Sequence, residues 1–317
     1  MSASLDEINR RFENRNFVVL SKEELNSVIE ETKANASPRY KSTYAIPGHF
    51  YSPIPDMNEV AQNAERIWKK PEMEIPGLHM NPDNQYAHLR DFFNMADSLP
   101  FPEERNDKRR YYYQNPSFSY ADAITLHCMM RKYKPKRIIE IGSGFSSAVM
   151  ADTNELFFNN SINLTFIEPN PDFFFSVLPE KDRSENKIIV EKVQNVDLHI
   201  YDELEENDIL FVDSSHVAKI GSDVNHEFFE IIPRLKKGVL IHFHDIFHPF
   251  EYPYDWIMEG RAMNENYILK AFLQYNDSFE VLFMSTYACT FFRNEIEKEL
   301  PLFLKNSGGN FWMKKIR

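Results

Sequence analysis

Ile138-Ile139-Glu140-Ile141-Gly142-Ser143-Gly144-Phe145-Ser146-Ser147 decides the fold of this chain. Arg137–Ile141 is a short apolar run of the kind that makes a buried parallel strand. Gly142 and Gly144 follow at once, and glycine lets a backbone turn sharply and lets a ligand approach closely. A helix is predicted from about Ser146 to Leu156, and its first N–H groups are unpaired and point back at the turn.

Working outward, the rhythm is alternating helix and strand. Tyr120 to Tyr133 reads as an amphipathic helix. Beyond the glycine turn, strands are expected at Leu164–Ile167, Ile188–Val190, Asp208–Val212 and Val239–Phe243. Helices are expected at Asp172–Leu178, Ser222–Arg234 and Asn264–Tyr275. Phe279–Met284 and Phe311–Ile316 close the chain as strands. Such alternation predicts an α/β fold, a mostly parallel sheet covered on both faces.

Upstream the pattern differs. Ser21 and Glu24 form a capping-box pair opening a charged helix. Residues 36–57 hold Pro38, Pro47, Pro53 and Pro55 among aromatic residues, which predicts an extended loop. Residues 58–70 and 84–98 look helical, and 99–118 return to loop. The division expected is an accessory and substrate-lid segment at 1–118 and a ligand-binding domain at 119–317.

Of 317 residues, 43% are hydrophobic and 26% charged, the pattern of a globular protein. The net charge of −12 repels phosphate backbones and argues against a nucleic-acid partner. No apolar run approaches the roughly 18 residues of a membrane span. No basic start followed by an apolar stretch opens the sequence, and Cys128 and Cys289 form no CxxC pair. A cytoplasmic protein is expected. A homo-oligomer is left open.

In an open parallel sheet, ligands bind beyond the carboxyl ends of the strands. Glu168 closes the second strand there, where a carboxylate can accept both hydroxyls of a ribose. A nicotinamide or flavin cofactor would use similar parts, but its fingerprint wants a third glycine where this chain has Ser147.

Glu140-Ile141-Gly142-Ser143-Gly144 resembles the first motif of class I S-adenosylmethionine (SAM)-dependent methyltransferases, and Glu168 resembles their ribose-binding acid. Asp208-Ile209-Leu210-Phe211-Val212-Asp213 is similar to their fourth-strand motif. Leu235-Lys236-Lys237-Gly238-Val239-Leu240-Ile241 is similar to the turn into their fifth strand. The resemblance covers about residues 119–317. It implies a Rossmann-like, seven-stranded, mostly parallel sheet with a C-terminal antiparallel hairpin. It also implies that Gly142, Ser143 and Gly144 cradle the methionine part of SAM, with Glu140 beneath and Ser146 at the helix start. Gln194 or Asn195 would lie near the adenine.

Asp213-Ser214-Ser215-His216 follows the fourth strand, and His242-Phe243-His244-Asp245-Ile246-Phe247-His248 ends the fifth. Both ends open on the cofactor's rim, so Asp213, His216, His244 and Asp245 are expected to converge there. Alternation puts His242 and His244 on one face. His242, inside the strand, reads as a hydrogen-bonded core residue.

Two chemistries fit. His216 or His244, with Asp245, could take a hydroxyl proton during methyl transfer. Alternatively, Asp213, His244 and Asp245 could hold a divalent metal ion. The arrangement is similar to metal-dependent small-molecule O-methyltransferases, whose acids after the fourth and fifth strands bind magnesium or calcium. Here His244 precedes Asp245, and histidine favours a transition metal. The chain also resembles bacterial methyltransferases associated with polysaccharide biosynthesis, which implies a small-molecule or saccharide hydroxyl as acceptor. Residues 247–256, rich in Pro, Tyr and Phe, are expected to join the lid. The competing readings are a non-catalytic SAM- or nucleotide-binding module and an NAD-linked oxidoreductase.

Overall fold

The structure, a computed structural model, describes residues 44–317. The expected helix opening at Ser21 and the first part of the 36–57 loop lie outside these residues. The described residues fall into two units, divided between Gln62 and Asn63. In the first, the backbone turns through Gly48, whose N–H donates to the Ile54 carbonyl at 3.0 Å. The short helix Met57–Gln62 follows, with Asp56 Oδ1 accepting from Asn58 N at 2.8 Å.

The second unit is built on seven strands: β1 Arg137–Ile141, β2 Asn163–Ile167, β3 Lys187–Ile189, β4 Ile209–Val212, β5 Leu240–Phe243, β6 Phe279–Met284 and β7 Phe311–Lys315. Their order across the sheet is β3-β2-β1-β4-β5-β7-β6. The first five pair in parallel, with Ile141 opposite both Ile167 and Val212. β7 lies antiparallel between β5 and β6. The expected C-terminal strand pair is present, joined through the helices Ser285–Phe291 and Arg293–Glu299 rather than by a tight turn.

Strand alternation divides the core in two. Ile138, Phe166, Phe211 and Trp312 pack on one face, under helices α1 Pro82–Met95, α2 Ala121–Tyr133 and α3 Phe145–Phe158. Ile139, Ile141, Val212, Phe243 and Met313 pack on the other, under the helical stretch at 223–234 and α4 Glu265–Leu273. Each such fully buried aliphatic or aromatic side chain contributes about 1.5–3 kcal/mol.

Two elements differ from the sequence reading. α2 is not amphipathic: every residue from Ala121 to Met130 is buried. Its outer face is covered by α1 and by the turn at Pro301–Lys305, a layer that strand-helix alternation alone does not announce. The expected helix Ser222–Arg234 is α-helical only at Asp223–His226 and widens to a π turn at Glu227–Ile231. Pro233, which has no N–H, sits in the tighter turn after it.

The loop before α2 is clamped by Arg110, whose guanidinium meets Asp152 at 2.8 Å, Glu155 at 2.7 Å and Asp182 at 2.6 Å. This brings 110–118 alongside α3, next to the glycine turn.

Candidate active site

β1 lies between β2 and β4, so connections leave it to both sides and a crevice opens at its carboxyl end. Gly142 makes the turn there. Its φ is +80°, and a Cβ on it would lie 1.8 Å from the Asp213 carbonyl oxygen. The ends of β1 and β4 therefore touch through backbone alone, and only glycine fits. Gly144 is different: its backbone is extended, and a Cβ would meet only the Phe173 ring, at 3.2 Å.

Glu168 faces this turn. Its carboxylate accepts from Ser143 N at 3.1 Å and from Asn170 N at 2.7 Å. Beneath the turn, Glu140 is fully buried and accepts from the Ser147 hydroxyl. Burial pushes its carboxyl up to about 8, against the lowering effect of the Ser146, Ser147 and Ser143 hydroxyls. The acid is thus largely neutral at pH 7 and supports the loop without placing a charge under it. Ser147, which stands where a dinucleotide fold has its third glycine, also accepts from Gly144 N at 3.1 Å.

A cavity of about 450 Å³ opens at this rim, walled by Gly142, Glu168, Lys192, Gln194, Asp213 and Ser222, among others. That volume suits a small-molecule ligand. Gln194 donates across its edge to the Gly221 carbonyl at 3.0 Å. Asn195 is exposed and donates instead to Glu191 at 2.9 Å, away from the cavity wall. Lys192, Ser222 and Asp223 belong to the wall but sequence reasoning did not single them out.

Beyond Asp213 the expected polar residues do come together. His216 Nε2 lies 3.4 Å from Asp213 and 3.6 Å from Asp245, and its Nδ1 is 2.8 Å from Glu265. His244 Nε2 lies 3.5 Å from Asp245, and its Nδ1 faces Asp122 at 4.0 Å. His216 and Asp245 both hold positive φ, +58° and +55°. Non-glycine residues pay for that conformation, and such strain gathers at functional sites.

Burial disfavours charge on both histidines, but the surrounding carboxylates outweigh it. Asp213 and Glu265 raise the His216 imidazole well above its usual value, and Asp213, Asp245 and Asp122 raise His244. Burial raises the Asp213 carboxyl in turn, yet His244 and His216 hold it below the usual carboxylate range. His242 behaves oppositely: burial and its neighbour His244 drive its imidazole well below the ordinary value. It is stacked on Phe211 at 4.0 Å and near Trp312 at 4.7 Å. It is a core residue, as expected, but neither ring nitrogen has a hydrogen-bond partner among the described residues.

Three acids of this site were missed from sequence: Asp122, Glu227 and Glu265, all buried. Asp122 accepts from Gly309 N and Asn310 Nδ2, each at 2.9 Å, and burial pushes its carboxyl up to about 6. Glu227 accepts from the Ser214 hydroxyl at 3.2 Å, and burial with nearby acids raises it well above the carboxylate range. A signal existed. Glu227 falls on the stripe of Val224, Phe228 and Ile231, and Glu265 on that of Leu269 and Leu273.

A metal needs donors within about 2.0–2.6 Å of one point. Asp213, His244 and Asp245 do not form that cradle as they stand, because the imidazole of His216 spans the two aspartates. Among the described residues, no group of three or more His, Cys, Asp or Glu side chains is arranged to hold a metal ion. Nor, among them, is any helix long and apolar enough to cross a membrane.

Comparison with known proteins bears on this geometry. Residues 139–246, which span the glycine turn through the residue after Asp245, match the model of a family described as a methyltransferase domain. The chain is 38% identical over 166 residues to an "Uncharacterized protein" of Archaeoglobus fulgidus, covering 51% of this chain and 74% of that one. Among solved structures, the O-methyltransferase TomG of Streptomyces achromogenes, in complex with SAM, is 14% identical with a TM-score of 0.40, over 94% of this chain and 100% of that one. The SAH-bound Podospora anserina methyltransferase PaMTH1 is 16% identical with a TM-score of 0.40, over 83% and 98%. With its motif after β1, its acid after β2 and its seven-stranded sheet, the chain carries a methyltransferase domain at residues 139–246.

Proposed function

We propose that this protein transfers the methyl group of SAM to a hydroxyl oxygen of a small molecule or saccharide. Glu168 takes the ribose hydroxyls, Gly142-Ser143-Gly144 the methionine part, with Ser146 and Glu140 behind it, and Gln194 the adenine side. The observation that carries the reading is that Asp213 belongs to both halves. It walls the cofactor cavity and also lies 3.4 Å from His216.

The reaction asks little covalent chemistry of the protein. The acceptor oxygen attacks the methyl carbon in line as the carbon–sulfur bond breaks, and its proton must leave. Asp245 and His244 bound the place for the hydroxyl, and His216 takes the proton from its neutral form, which the raised imidazole confines to the higher pH range. The carboxylates around His216 strengthen it as a base and stabilise the imidazolium that results. The metal expected at Asp213, His244 and Asp245 finds no cradle there, so the proposal gives these residues to proton transfer and charge stabilisation.

Residues 1–118 are read as the accessory and lid segment, with 247–256 as its counterpart. Support comes from Trp68, whose indole donates to the Tyr252 carbonyl at 2.8 Å and meets the Tyr254 ring edge-on.

The test is calorimetry with SAM and with its demethylated product, followed by radiolabelled methyl transfer to catechol and to methyl glycosides. Binding of both with transfer to a hydroxyl is expected. Binding of NAD instead of SAM would return the chain to the oxidoreductase reading. SAM binding without transfer to any hydroxyl would leave a binding module.

A further inference from the structure

Glu265 makes one buried contact that methyl transfer as described does not assign. It opens α4, is 1% exposed, and its Oε2 lies 2.8 Å from His216 Nδ1, within hydrogen-bond distance. The backbone reinforces the pairing. The His216 carbonyl accepts from Asn264 N at 3.0 Å and from Glu265 N at 3.2 Å. Asn264 Oδ1 accepts from Ala218 N at 2.6 Å, and its Nδ2 donates to the Ala218 carbonyl at 3.2 Å. The start of α4 therefore grips both sides of the left-handed bend at His216.

We infer that Glu265 is the positioning residue for His216: it holds the imidazole with Nδ1–H toward α4, so that Nε2 faces the rim between Asp213 and Asp245. A ring held at one nitrogen by a buried carboxylate keeps one tautomer and one rotamer, and the other nitrogen is presented at a fixed place. Without that hold, the imidazole could turn its two nitrogens either way. The same feature explains why a fully buried acid stands in the apolar stripe of α4. An isoleucine or leucine there would pack as well but would leave His216 Nδ1–H without an acceptor.

The significance for methyl transfer rests on His216 being the proton acceptor, but the positioning itself does not. The full chain, labelled with 15N-histidine and saturated with the demethylated cofactor, is examined by proton NMR. A far-downfield Nδ1–H resonance is expected, assigned by its loss in His216→Gln. In Glu265→Gln it should move upfield or vanish into exchange with water, while calorimetry still shows SAM binding. Glu265→Asp, which keeps the charge but withdraws it by one methylene, should give an intermediate position, and it decides the matter should the Gln variant fail to fold. An Nδ1–H resonance unmoved in both variants overturns the inference. In methyl transfer to catechol, Glu265→Gln should lower kcat about ten- to a hundredfold, with KM for SAM unchanged. If His216→Gln instead keeps full kcat, the proton-acceptor role falls, and the resonance still decides the role of Glu265.

Discussion

Replacing Gly142 by alanine tests the contact on which the cofactor crevice depends. The added Cβ would lie 1.8 Å from the Asp213 carbonyl oxygen, whereas real Cβ atoms stay beyond 3.0 Å, so that oxygen or the turn must move by at least the difference, 1.2 Å. The move is resisted, because Asp213 N donates to the Ile141 carbonyl at 2.8 Å and Gly142 N donates to the Ile167 carbonyl at 2.9 Å. A left-handed conformation costs an L-residue about 1–2 kcal/mol, and breaking one of these bonds about 1 kcal/mol more. The sum, about 2–3 kcal/mol, should lower Tm by roughly 5–10 °C. A shift of about 1 Å in a positioned group can cost a hundredfold in function, so SAM affinity should fall at least about tenfold. Gly260→Ala is the control: its φ is +87°, but nothing lies within 4 Å of the added carbon. It should show the strain in Tm and keep wild-type SAM affinity. Calorimetry and thermal scans with and without SAM read both effects. Wild-type SAM affinity in Gly142→Ala, or an equal loss in Gly260→Ala, refutes the reasoning.

Three further outcomes are expected. Gly144→Asp should stay folded, because only the movable Phe173 ring stands near its Cβ, yet lose SAM binding as the carboxylate fills the cofactor's place; circular dichroism and calorimetry separate the two. Arg110→Ala should lower stability by about 3–5 kcal/mol in urea titrations, since it strands the buried carboxylates of Asp152 and Asp182. His88 supplies a pH dependence. Burial lowers its imidazole to about 4, so between that value and the usual 6.5 the unfolded chain binds the extra proton. The stability associated with His88 is therefore intact above pH 6.5 and falls by up to about 3 kcal/mol as pH drops through 4. Urea midpoints at pH 7 and pH 4.5 should converge in His88→Gln relative to wild type, and an unchanged difference would falsify the assignment.

The strands were legible because β1, β4 and β5 are covered on both faces and so read as unbroken apolar runs, with boundaries within a residue or two. What could not be read came from layers added over the sheet. α2 loses its polar face because α1 and residues 301–305 cover it, and the helices after β6 leave no mark in a strand-counting pattern.

At the site, residues that directly follow strands were found, since parallel strand ends converge on one rim. Asp213, His216, His244 and Asp245 all meet there. Their partners were not found. Asp122 and Glu265 reach the rim from helix starts away from the strand ends, and only for Glu265 does a carboxylate on an apolar stripe give a signal. Of the two residues expected after β3, Gln194 lies in the cavity wall, while the turn directs the Asn195 side chain to Glu191. The metal expectation rested on residue types and their place after the fourth and fifth strands, and the position of His216 between the two aspartates could not be read from spacing.

The central claim is that the crevice beside β1 delivers a methyl group to the Asp213–His216–Asp245 rim. A crystal structure of the protein with SAM tests it most directly. The account predicts the ribose hydroxyls on Glu168, the methionine part over Gly142-Ser143-Gly144, and the methyl carbon facing the space between His216 and Asp245. SAM bound with its methyl group turned away from that rim, or with its ribose apart from Glu168, would contradict it.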